Sequence, residues 1–319
     1  MICDTIVHYI YNYERIFVMG LFSMNYSKPG PGVDANEPEK KGFFRFWEVF
    51  AEKFSKLIGA NSLHALLSIV YIAIMFFLAP INDTSIQNLV QGMVSDTSID
   101  VASTALNFSL MFRLMFSIGI FMLWGSGPAT AMYAYITRCY TTRTPVWIIS
   151  DGFAKYKENF KQSIIVSVID IVVLILGKTA IAFYYSMYTN SKNILFMILF
   201  SLLIMMVVIY TWMHFYIYQL MVTYECSLKQ LYKNSLIFAI GNLPMNLFVT
   251  VIALAVLASL YFVLTPIIAM LIDLIVLAIF MRFLIEFSAS RKIKKVVINN
   301  EQPQEYKMEY FPEVEEDEK

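Results

Sequence analysis

This chain of 319 residues is 58% hydrophobic and only 15% charged, whereas soluble domains average about 45–50% apolar and about 25% charged. That composition excludes an ordinary soluble domain. Lys plus Arg and Asp plus Glu number 24 each, and no basic domain stands out, which excludes nucleic acid as a partner.

Residues 1–18 carry Asp4, His8, Glu14 and Arg15 among apolar residues, so they lack the clean apolar run of a signal peptide. Met19-Gly20-Leu21-Phe22 reads as a natural start, which makes 1–18 either a mis-start or a short extension. Lys28-Pro29-Gly30-Pro31-Gly32 opens a linker, because Pro removes backbone donors and Gly raises chain entropy. The extension and linker occupy residues 1–42.

From residue 43 the pattern becomes amphipathic. Phe43, Phe46, Trp47, Phe50, Phe54 and Leu57 recur at helical spacing between Arg45, Glu48, Glu52 and Lys56. This predicts a helix lying in the membrane interface. Six apolar stretches follow, near 60–80, 107–127, 162–184, 194–224, 235–263 and 266–287. A bilayer core about 30 Å thick needs roughly 20 apolar helical residues, so each stretch predicts a span. Similar amphipathic segments lead into the third span, around 147–161, and into the fifth, around 228–236.

Lys and Arg are retained on the cytoplasmic side of bacterial membranes. Counted through the seven segments outside the spans they number 7, 0, 5, 1, 2, 0 and 6. This alternation predicts six spans with both termini cytoplasmic. It places Cys3, Cys139 and Cys226 on the cytoplasmic side, where thiols stay reduced. The predicted architecture is therefore an all-α polytopic integral membrane protein. A six-helix membrane domain occupies 43–290, with interfacial helices on the cytoplasmic side, and a charged cytoplasmic tail occupies 291–319.

The second span meets Gly125-Ser126-Gly127-Pro128-Ala129-Thr130-Ala131. Pro128 ends or kinks a helix, and Gly127 permits close backbone approach. The plain reading is a packing site; the functional reading is a hinge. The aromatic and basic run Tyr133, Tyr135, Arg138, Tyr140 and Arg143 is expected at the inner surface.

Three segments resemble YesL-like proteins, a family of multi-pass bacterial membrane proteins without an established activity. They are Lys28-Pro29-Gly30-Pro31-Gly32-Val33-Asp34 with Lys40-Lys41-Gly42-Phe43-Phe44-Arg45-Phe46, then Gly127-Pro128-Ala129-Thr130-Ala131-Met132-Tyr133, then Phe153-Ala154-Lys155-Tyr156-Lys157-Glu158-Asn159-Phe160-Lys161-Gln162. The resemblance covers residues 19 to about 165. It implies a cell-membrane protein working beside carbohydrate uptake, with an ABC sugar permease or its ATPase as partner. It supplies no catalytic residues.

Ionisable groups inside spans are functional candidates by default. Arg113, Lys178 and Asp273 are expected at similar depth in the outer half, where they could meet. Their plain reading is snorkelling or mutual neutralisation. Asp170, nearer the middle, has no evident partner, so it is protonated, water-exposed or hydrogen-bonded to a neighbouring helix. Arg282 and Glu286 are spaced i,i+4 as an ordinary helix pair, and His214 reads as a packing histidine among aromatics. No histidine is evidently placed to activate Ser126, no metal-ligand spacing occurs, and no nucleotide-binding loop is present. The chain is expected to be non-enzymatic and without cofactor or metal.

Two functions follow. In the first, an accessory component of carbohydrate uptake docks a partner through Trp147, Phe153, Tyr156, Lys157, Phe160 and Lys161. In the second, a small transporter or channel uses Arg113, Asp170, Lys178 and Asp273. Partners other than lipid, and the oligomeric state, are not fixed by the sequence.

Overall fold

A computed structural model describes residues 42–93, 100–263, 268, 272 and 278–301. Residues 1–45 form one compact unit, described only in the first turn of its helix; residues 46–319 form the other, to which everything below refers. Among the described residues the protein is entirely helical, with eleven helices. These are α1 (Gly42–Leu67), α2 (Ile69–Leu78), α3 (Asp83–Met93), α4 (Val101–Leu123), α5 (Pro128–Thr141) and α6 (Ser150–Glu158), then α7 (Phe160–Ser191), α8 (Ile194–Thr223), α9 (Leu228–Gly241), α10 (Leu243–Val263) and α11 (Ala278–Glu301).

Three of them, α4, α7 and α8, are each long and apolar enough to cross a membrane. The number rises to five if α1 with α2, and α9 with α10, each count as one bent span. Of the sixth predicted stretch, 266–287, residues 268, 272 and 278–287 are described, the last of these opening α11. Helix α11 continues to Glu301, so the first part of the expected tail is helical.

The two bends have side-chain causes. Chains α1 and α2 meet at 58° around Ser68, whose Oγ donates to the His64 carbonyl at 2.6 Å. Such back-bonding by serine bends helices. Chains α9 and α10 meet at 87°, just before Pro244, which has no N–H for the preceding turn. Backbone groups freed at that corner find side chains: Asn246 Nδ2 donates to the Ala239 carbonyl at 2.9 Å. Tyr216 OH donates to Asn246 Oδ1 at 2.8 Å and accepts from Asn242 Nδ2 at 2.9 Å.

Other boundaries are capped as sequence chemistry dictates. Asp100 accepts from the Ala102 N–H at the start of α4. Asn193 accepts from the Leu195 N–H at the start of α8, just after Lys192 closes α7 in the left-handed region. Ser227 and Gln230 form a capping box for α9. The gap between the first two predicted spans is not plain loop, because it contains the short helix α3, which packs on α4.

Helices α7 and α8 form an antiparallel hairpin, and α8 also packs on α9, α5 and α11. The core gathers around α5, where every residue except Tyr135, Arg138 and Thr141 is buried. This corrects the sequence expectation of a surface run: Tyr133 and Tyr140 belong to the core.

Candidate functional site

The break between α4 and α5 organises the polar interior. Helix α4 stops at Leu123, and Pro128 is the first residue of a new helix rather than a kink within one. Proline suits that position, because the first-turn N–H it lacks would have no helical partner. Gly125 and Gly127 have φ of +86° and +77°, values that favour glycine. A Cβ on Gly127 would lie 2.5 Å from Ser167 Oγ and 3.2 Å from the Ser163 carbonyl, so α7 is pressed against the break.

The backbone N–H groups of the break are taken up. The Ser126 N–H donates to Thr130 Oγ1 at 2.7 Å, and the Gly127 N–H donates to Tyr218 OH at 3.1 Å. Because the Ser126 N–H is diverted to Thr130, the Met122 carbonyl loses its helical donor. Arg282 Nη1 donates to that carbonyl instead, at 3.2 Å. A cation at a helix C-terminus also complements the helix dipole.

Arg282 and Glu286 are each 1% exposed. Their i,i+4 spacing forms an ion pair at 2.5 Å, but in the core rather than on a solvated face. Gln219 Nε2 donates to Glu286 Oε2 at 2.6 Å and to the Ala134 carbonyl at 3.1 Å. The guanidinium also lies over the Tyr218 ring, 5.8 Å from its centroid. Tyr218 thus joins the ion pair to the break.

A second cluster lies at the bend of α1 and α2. His64 is stacked between Phe121 and Tyr133, with centroids at 4.6 and 5.1 Å. His64 Nε2 is 2.9 Å from Thr130 Oγ1 and 3.5 Å from Ser126 Oγ, and Ser126 Oγ is hydrogen-bonded to Ser68 Oγ. This neighbour of Ser126 was not evident from sequence. Hydrogen counting nevertheless argues against a nucleophile. Ser68 donates to the His64 carbonyl, so Ser126 must donate to Ser68. If His64 Nε2–H donates to Thr130 and Thr130 to Ser126, every hydroxyl is used and the chain closes on the His64 carbonyl. In that arrangement Nε2 already carries its proton and is no base. Only the His64 Nδ1 lone pair is then left without a partner, as observed.

The third cluster centres on Asp170, fully buried on α7. His214 Nε2 lies 2.8 Å from Asp170 Oδ1, and Tyr210 OH donates to the same oxygen at 2.7 Å. His214 Nδ1 lies 3.0 Å from the Tyr210 carbonyl. Trp124 stacks on His214 with centroids 5.3 Å apart, and its Nε1 donates to Thr211 Oγ1 at 2.9 Å. The residue with no partner evident from sequence therefore has two, and the packing histidine is one of them. Asp170 and His214 stand twenty-two residues on either side of Lys192, at the hairpin turn. Equal distance from an antiparallel turn places them at equal depth, and that count was available in the sequence.

The other candidates separate. Arg113 Nη2 pairs with Asp83 at 3.1 Å. Hydrogen bonds from Ser109, then from Arg113, hold the Asp83 carboxyl below its ordinary range. Lys178 Nζ donates to the Leu78 carbonyl at 3.1 Å, closing the end of α2. Asp273 lies outside the described residues. Arg113 and Lys178 therefore have separate partners from α3 and α2.

Of the expected partner surface, Trp147 is 78% exposed, and Lys157, Phe160 and Lys161 are exposed too. Phe153 and Tyr156 are half-buried, and Tyr156 packs on the core. The segment is anchored: the Trp147 N–H donates to Asp151 Oδ2 at 2.8 Å. Gly152 sits against Met132 and Ile136 of α5, where a Cβ would meet atoms at 3.2 and 3.3 Å.

No family model, curated protein or solved structure matches this chain.

Proposed function

We propose that the chain is a non-enzymatic multi-pass protein of a bacterial cell membrane that works by docking a partner on its cytoplasmic face. The alternation of Lys and Arg supports six spans with both termini cytoplasmic, and helices α1, α6 and α9 then lead into spans from that side. The observation that carries the docking role is the anchored strip at 147–161. Trp147 and Ile149, 78% and 72% exposed, share with the exposed Lys157 and Lys161 a segment fixed by Asp151 and Gly152. Rigid aromatic anchors beside cations suit an interface with a protein carrying acidic groups. The resemblance to YesL-like proteins supports a sugar permease or its ATPase as that protein.

A photo-crosslinking residue at position 147, in cells grown on a carbohydrate taken up by an ABC importer, tests this reading. The expected product joins the chain to an importer subunit and disappears with Lys157→Glu/Lys161→Glu. Lipid adducts alone, with normal sugar uptake after deletion of the gene, would overturn it.

A second reading is a small proton-coupled transporter, favoured by the buried Asp170–His214 pair between two membrane-crossing helices. Its test is solute-driven proton movement in proteoliposomes, lost in Asp170→Asn.

A further inference from the structure

We infer that Asp170 and His214 form a proton-binding site, which holds one transferable proton between Asp170 Oδ1 and His214 Nε2. The inference deepens the transporter reading and rests on it for its physiological use.

The argument begins at the other ring nitrogen. A backbone carbonyl only accepts hydrogen bonds. His214 Nδ1, 3.0 Å from the Tyr210 carbonyl, therefore carries a hydrogen. That fixes what Nε2 can be. Either the ring is a neutral imidazole whose Nε2 accepts from a protonated Asp170, or it is an imidazolium donating to a carboxylate. In both forms one proton lies on the 2.8 Å line between Nε2 and Oδ1, and the pair has no net charge. The two forms differ only in which atom holds it.

Releasing that proton leaves an imidazole lone pair facing a carboxylate oxygen. Both are fully buried, where repulsion is far stronger than in water. Tyr210 OH supplies one hydrogen bond to the anion, and no other is present. Release therefore requires either a rotation of the ring away from Asp170 or arrival of another positive charge. Uptake of a second proton gives an imidazolium beside a carboxylic acid, with the new proton on Asp170 Oδ2. Each step moves one H+ and breaks no other bond.

The surroundings leave this pair to carry the charge alone. The Asp170 charge acts on Tyr71 of α2, Tyr210 and Tyr218 of α8, and Tyr232 of α9. Tyrosine titrates near 10 in water, so these stay neutral. Trp124, the residue after α4, covers the His214 ring and carries no charge. Among the described residues no second carboxylate is hydrogen-bonded to the pair, and Arg282 is engaged by Glu286.

An independent observation concerns the far side of the carboxylate. Asp170 Oδ2, Ser167 Oγ and Tyr71 OH are buried with no hydrogen-bond partner. Ser167 is one turn from Asp170 on α7, and its Oγ reaches the backbone of Gly127. A static ion pair would be expected to have its buried oxygens satisfied. An unpartnered oxygen on a buried acid, with unpartnered hydroxyls on its own helix and on α2, suits a site that accepts and releases a proton there.

The experiment uses the full chain in lipid nanodiscs with 15N-labelled histidine. The chain has three histidines, His8, His64 and His214, so single His→Gln variants assign the signals. We expect His214 Nδ1 to be protonated and its Nε2 signal to lie between the protonated and bare positions. In Asp170→Asn that signal should move most of the way to the bare position, while His64, in a separate cluster, stays put and reports an intact fold. The shared proton should exchange with deuterated solvent within minutes. A bare Nδ1, an Nε2 signal unmoved by Asp170→Asn, or a proton retained for days would each overturn the proposal. So would a signal that responds to sodium at constant pH, which marks a metal-cation site. Absence of proton flux in proteoliposomes, with these signals as expected, would remove only the transporter reading.

Discussion

The two halves of α8 are built from one continuous helix and face different solvents. From Ile194 to Thr211 no residue is buried; from Trp212 to Val222 every residue is. The first half is almost wholly Leu, Ile, Met, Phe and Val, and its partner in the membrane is lipid. The second half includes His214, Tyr216, Tyr218 and Gln219, and its partners are other helices. The same division runs through α7. Its buried stripe, Ser163, Val166, Ser167, Asp170 and Leu174, ends near the middle of the helix. Hydropathy therefore measures the part of each helix that touches lipid, whereas polar specificity is concentrated in the part that does not. Substitutions of similar size should have unequal effects in the two halves.

The largest difference is expected at the buried ion pair. Arg282→Ala leaves Glu286 as an unpaired buried charge, and breaking such a pair costs about 3–5 kcal/mol. It also strips the Met122 carbonyl of its donor. Replacing both charges, as Arg282→Met/Glu286→Leu, should recover much of that loss. Met206→Ala in the lipid-facing half, at a residue 66% exposed, should stay within about 0.5 kcal/mol. Unfolding midpoints in detergent would measure the contrast, and equal shifts in Arg282→Ala and Met206→Ala would break it.

Next is the break itself. Gly127→Ala adds backbone strain of about 1–3 kcal/mol and a contact of 2.5 Å with Ser167 Oγ. Adding Ser167→Ala removes the contact but not the strain, so the double variant should regain part of the lost stability. Gly177→Ala, in the outer half of α7, meets only a side-chain atom at 4.0 Å and should be neutral or slightly stabilising, because alanine is the better helix former. Refolding yield and melting temperature separate the three.

Thr130→Val should have a smaller effect of about 1–3 kcal/mol, the desolvation cost of buried groups left unpaired. Its hydroxyl serves the Ser126 N–H, His64 and Ser126 Oγ together. Ser201→Ala removes a hydroxyl bonded only to its own helix, at Met197, and should change little. A melting-temperature difference between these two variants close to zero would show that the network adds no stability.

The same division explains what the sequence disclosed. Apolar length revealed the helices that face lipid, and Asp170 stood out because a carboxylate inside a span is rare. Pro128 and the glycines marked the break correctly, though as the end of one helix rather than the start of a buried one. The partners were harder to see because they lie far apart in the chain: Asp170 with His214, Arg282 with Met122, Ser126 with His64. Helix α5 is buried except at Tyr135, Arg138 and Thr141, and residues 212–222 of α8 are buried all round, so little polar face marks which side meets which neighbour. Depth counting across the α7–α8 turn works because the hairpin is tight; the other pairs cross breaks and bends that no count along the chain spans.

The smallest expected effect belongs to a charge pair outside this core. Asp83 is solvent-exposed, and Arg113 and Ser109 reach it from α4. These bonds depress the carboxyl in the folded protein below its ordinary 3.8. A group whose folded value is lowered stabilises the fold above its unfolded value and loses that contribution as pH falls through the folded one. Asp83→Asn should therefore melt slightly below the parent at neutral pH. The gap should close at pH values well under 3.8, where Asp83 is itself protonated, and shrink in high salt at neutral pH because exposed pairs are screened. A gap that persists unchanged in acid would mean that Ser109 and Arg113 hold α3 to α4 through something other than the Asp83 charge. In that case the outer half would carry a polar contact of the same kind as the core, and the division between the two halves would be less sharp than α8 suggests.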